Sequence, residues 1–62
     1  MKVGDLVTVH PYAKNLYLVV RLMCEDKKTI PGNGRLWEMY DPETDKFLPM
    51  SEKFLEVLSE SN

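Results

Sequence analysis

Apolar residues in this chain come in short alternating runs separated by turn-forming residues, the pattern of β-strands rather than of helices. Val3 to His10 opens with the turn signal Gly4-Asp5 and then alternates, with Val7 and Val9 on one face and Thr8 on the other. Pro11 lacks an N–H and closes that ladder, leaving Tyr12 to Asn15 as a loop. Leu16 to Cys24 reads as the second strand, apolar except for Arg21. Taking the face that carries Arg21 as the outer one places Tyr17 and Val19 outside, and Leu18, Val20 and Leu22 in the core. Glu25 to Gly34 is a loop. Pro31-Gly32 suits the centre of a type II turn, and Asn33-Gly34 can supply further positive φ.

Arg35 to Met50 has the form of a hairpin: two arms rich in aromatic and aliphatic residues around the polar centre Asp41-Pro42-Glu43-Thr44-Asp45. Pro42 fits the second position of a type I turn, Asp41 can accept bonds from the turn backbone, and Asp45 falls where the loop calls for φ > 0. On the first arm Leu36, Glu38 and Tyr40 share a face, so Trp37 and Met39 belong to the core. Phe47 and Leu48 resume the strand, and Pro49 limits it to an edge. Ser51 is a good N-cap for a helical or 3-10 turn over 51–54, followed by a short strand Leu55–Leu58 and a frayed tail over 59–62. Five short strands with one helical turn before the last give an all-β, five-stranded, SH3-like barrel as the expected fold, one domain over 1–62.

Sixty-two residues bury only about 60% of the unfolded surface, which leaves little margin of stability. With one cysteine there is no internal disulfide and no thiolate metal cluster to staple the fold. Cys24 itself reads as a small buried hydrophobe. No apolar run approaches the roughly 18 residues of a membrane span, and Asp5 interrupts any signal-peptide core. These features give a cytoplasmic protein as the expectation. The net charge of −2 divides unevenly: residues 1–37 carry six basic and three acidic groups, residues 38–62 two basic and seven acidic.

The chemistry-bearing residues are sparse. His10 has no nucleophile placed beside it and reads as a solvated strand end. Asp41, Glu43 and Asp45 have the opening spacing of a calcium loop, but Lys46 stands where the sharp turn needs glycine, so they read as solvated turn carboxylates. No enzyme, cofactor or metal is expected. Tyr12, Tyr17, Leu36 and Tyr40 are the candidate binding residues, an exposed aromatic patch for a protein or an extended peptide. Lys27, Lys28 and Arg35 are the candidates if the ligand is nucleic acid, a reading that the acidic net charge disfavours. A third possibility is self-association into a homodimer, which adds the buried area a small core lacks.

The opening Lys2-Val3-Gly4-Asp5-Leu6-Val7-Thr8-Val9 and the closing Phe54-Leu55-Glu56-Val57-Leu58 resemble small uncharacterised proteins of tailed phages, cyanophages especially. The opening phrase is also similar to that of Tudor-like and KOW-like SH3 barrels. The resemblance covers nearly the whole chain through short apolar phrases. It implies the barrel fold and a viral origin, hence a host-cytoplasm location and an accessory role toward a host partner. It implies no activity, and the hairpin loop here is longer than in those proteins and lacks their glycine.

Overall fold

A computed structural model describes residues 1–9 and 12–59, with the side chains of 12–14 and 59 left aside. His10 and Pro11 lie outside the described residues, as does most of the expected frayed tail. The chain is all-β: β1 (Leu6–Val9), β2 (Tyr12–Glu25), β3 (Arg35–Asp41), β4 (Lys46–Ser51) and β5 (Leu55–Ser59). They form one antiparallel sheet in the order β4-β3-β2-β1-β5, with a 3-10 turn at Glu52–Phe54 before the last strand. Strand number, order and the position of that turn are those of the expected SH3-like barrel.

Local chemistry explains the turns. Asp45 takes φ 56°, the left-handed conformation anticipated for it. Asp41 accepts from the Glu43 backbone N–H at 2.9 Å and from the Thr44 hydroxyl at 3.0 Å, which fixes the β3–β4 turn. Gly34, at φ +80°, packs its Cα against the backbone of Lys27, where an added Cβ would stand 2.7 Å from Lys27 Cα. Ser51 caps the 3-10 turn by accepting from Lys53 N–H, and its own hydroxyl donates to the Pro31 carbonyl at 2.8 Å. The 26–34 loop is thereby tied to the far end of β4.

β2 departs most from expectation. It begins at Tyr12 rather than Leu16, so the expected loop Tyr12–Asn15 is strand. Fourteen residues at about 3.3 Å each would span some 46 Å, whereas the molecule's longest extent is 31 Å. The strand must therefore bend. It does so at register shifts between Val19 and Arg21 and between Leu22 and Cys24, each placing an extra residue opposite β3.

Those bulges overturn the assignment of faces. Strict alternation counted back from Arg21 put Leu18, Val20 and Leu22 in the core. Instead Val19 is buried, Leu18 is exposed and Val20 is half-buried, while Leu22 keeps the expected face, opposite Trp37, but is exposed there. Arg21 does point outward, opposite Glu38, but the extra residue between it and Val19 puts Leu18 outside as well. Cys24 is exposed rather than buried, because the second bulge sets it opposite Leu36 on the outer face. The core is Val7, Val19, Trp37 and Met39, with Met1, Val9, Tyr17, Met50, Leu55 and Val57 packed around it. Thr8, on the other face of β1 from Val7, is buried too, and its hydroxyl has no hydrogen-bond partner among the described residues.

Candidate functional site

The four expected binding residues do not share one surface. Tyr17 lies opposite Val7 and packs against the core, so its ring belongs to the inner face and not, as expected, to the outer. The side chain of Tyr12 lies outside the described residues. Leu36 and Tyr40 are on the outer face, both half-buried, separated along β3 by Glu38. Of the expected patch, Tyr40 and Leu36 are the residues that the described side chains place on the outer face.

What the sheet does build is a row running across its strands on the outer face. Phe47 on β4 is directly opposite Tyr40 on β3, Tyr40 is opposite Leu18 on β2, and Leu18 is opposite Leu6 on β1. Directly opposed residues lie about 5 Å apart and face the same way, so these four side chains adjoin in sequence across the sheet. Phe47 is 59% exposed, Leu6 39% and Leu18 36%. The Tyr40 and Phe47 rings are 5.4 Å apart between centroids and inclined by 52°, the tilted geometry that aromatic pairs favour. Leu16, two residues before Leu18, is also exposed.

Polar groups border the row at defined places. The Arg21 guanidinium pairs with Glu38 through Nε–Oε1 at 2.8 Å, one step along β2 and β3. Beyond Tyr40, its hydroxyl donates to Asp45 Oδ1 at 2.7 Å. That bond to an anion holds the Tyr40 phenol above its usual pKa, with desolvation and the charges of Asp45 and Asp41 acting in the same direction. The phenol therefore stays the donor and the carboxylate the acceptor.

A second polar cluster lies at the 3-10 turn and is structural. The Trp37 indole N–H donates to Glu52 Oε1 at 2.8 Å, Asn33 Nδ2 donates to Glu52 Oε2, and Arg35 Nη1 lies 3.9 Å from Glu52 Oε1. Arg35 Nε also approaches Glu25 at 3.4 Å. Of the three residues expected to touch phosphate, Arg35 is thus occupied by two carboxylates, and Lys27 and Lys28 are exposed on the 26–34 loop. In that loop Asp26 accepts from the Lys28 backbone and the Thr29 hydroxyl, which together hold its carboxyl below the usual carboxylate range.

The expectation from residues alone missed Leu6, Leu18 and Phe47. Phe47 was readable, being two residues from Pro49 and opposite Tyr40 in a hairpin of this loop length. Leu18 was not, since its facing depends on the bulges. Comparison with protein-family models, with curated proteins and with solved structures finds no match to this chain.

Proposed function

We propose that this chain is a non-enzymatic interaction module, binding a protein or peptide through the outer face of its sheet. The carrying observation is the row Phe47–Tyr40–Leu18–Leu6, four adjoining side chains on the outer face, of which Phe47, Leu18 and Leu6 are exposed and Tyr40 is half-buried. Burying such a row against a partner is worth about 25 cal/mol per Å² of apolar surface removed from water, and contiguous exposed apolar patches are where partners dock. The phrases shared with small phage proteins add the idea of an accessory protein acting on a host partner. The row replaces the tyrosine patch as the docking surface, retaining Tyr40 and bordering Leu36.

The test is capture from cell lysate by the wild-type chain and by a Leu18→Gln/Phe47→Gln variant, with and without nuclease. A protein retained by the wild type after nuclease and lost by the variant, at unchanged thermal midpoint, supports this face. Retention that the variant preserves removes it. Capture that nuclease abolishes moves the function to nucleic acid and to Lys27 and Lys28.

A further inference from the structure

Building on the outer face as the docking surface, we infer the chemistry of its occupant: a segment that presents a lysine or arginine beside apolar residues, with the cation seated where Tyr40, Phe47 and Asp45 meet. The row is not chemically uniform. One end is aliphatic, Leu6 and Leu18; the other is the tilted Tyr40–Phe47 pair. Aromatic faces carry negative quadrupole density and attract cations. Asp45 stands at the aromatic end, held by its left-handed backbone and by the bond from Tyr40. That bond engages Oδ1, while the residue is exposed and, among the described residues, has no cationic partner. Lys46, the next residue, projects to the other face of the sheet, opposite Asp41.

Charge decides among occupants. An acidic segment would meet Asp45 and the exposed Glu43 of the same turn. A purely apolar one would cover a carboxylate without pairing it, which is costly. A second copy of this chain would bring its own Asp45 and, among the described residues bordering its row, an Arg21 already paired with Glu38, and so supplies no free cation there. A basic residue whose aliphatic stem lies on the rings and whose head reaches Asp45 satisfies both features, and its apolar neighbours continue along Leu18 and Leu6 at about 5 Å per strand.

A random-peptide display library selected against the wild-type chain, with the Leu18→Gln/Phe47→Gln protein as counter-selection, tests this. Enriched sequences are expected to carry Lys or Arg next to apolar residues. A synthesised enriched peptide should bind the Asp45→Asn variant about threefold more weakly, the scale of an exposed ion pair. Asparagine tolerates the left-handed backbone and still accepts from Tyr40, so the change isolates the charge. Replacing the peptide's basic residue by Gln should cost the wild type more than that factor, since it also removes the contact with the rings, and cost the variant only the smaller, cation–π part. Enrichment without a basic preference, or equal affinity for Asp45→Asn, overturns the inference and leaves the outer-face reading standing. Absence of enrichment over the counter-selected protein overturns both. A concentration-dependent dimer that Leu18→Gln/Phe47→Gln dissociates makes the occupant a second copy and overturns the cation.

Discussion

Val19 and Leu18 are neighbours on one strand and belong to different worlds. Val19 is 1% exposed, opposite Met39 and inside the core; Leu18 is 36% exposed, opposite Tyr40 on the outer face. The same contrast separates Met39 from Tyr40 along β3. Both faces are apolar at their centres, so hydrophobicity does not distinguish the core from the proposed docking surface here. Position relative to the bend of β2 does. Among the described residues the inner face holds the fold with four buried hydrophobic side chains, and the outer face leaves most of its apolar row in water.

Substitutions at paired positions sharpen that contrast. The largest effect should come from Val19→Asp, which buries an unpaired carboxylate: no cooperative thermal transition is expected, whereas Leu18→Asp should still unfold cooperatively. If both variants unfold alike, the two faces are not separable in the way described. Next is Trp37→Ala, at about 3–5 kcal/mol by denaturant titration, because it removes a core side chain and the bond to Glu52. Trp37→Phe keeps most of the volume and leaves Glu52 with Asn33 and Arg35, so a loss of about 1–2 kcal/mol is expected. Arg21→Ala, which breaks an ion pair open to solvent, should cost less than about 1 kcal/mol.

Titration provides the finest test. The raised pKa of Tyr40 means that its ionisation weakens the folded state only as pH climbs past the ordinary tyrosine value of 10.0 and through the higher folded one. Asp45→Asn removes the anion responsible, so the Tyr40 phenol should titrate at lower pH in the variant, followed by its ring carbon shifts. An unmoved titration would mean that Asp45 does not hold Tyr40 in solution. Asp26 works in the opposite sense. Its lowered pKa contributes stability that is complete above the ordinary carboxyl value of 3.8 and is lost as pH falls through the folded value. Asp26→Asn should flatten the acid limb of a stability–pH curve.

Much of this fold is legible in the residues, because turns and caps are local. Gly4, Pro31-Gly32, Pro42, Asp45 and Ser51 each mark a turn or cap by conformational preference alone, and the pairing of strands adjacent in sequence follows from joining them with such turns. Trp37 and Met39 are readable as core because β3 pairs with β4 in unbroken register. β2 is not readable in the same way. Its faces depend on two bulges set by pairing with β3, and nothing in Leu-Val-Val-Arg-Leu-Met-Cys announces which residue is the extra one. The candidate site inherits that gap. Tyr40 can be placed by counting from Trp37, but Leu18 cannot be placed from Arg21, and the residue given to the core lies at the middle of the proposed docking surface.

The pairing of the row also bears on the order in which the chain acquires its parts. Phe47 meets Tyr40, Tyr40 meets Leu18 and Leu18 meets Leu6 through three successive hairpins, each between strands adjacent in sequence. Contacts of this kind close early, because short loops lose little entropy. The pairing of β1 with β5 joins Leu6 to Ser59, nearly the full length of the sequence, and belongs to the slow end of folding. The row needs none of β5, whereas Val57 and Leu55 complete the packing around Val7. Pairing along the proposed docking row is thus expected to form before the β1–β5 pairing that completes the core, so that the outer face is the less dependent of the two on the last strand.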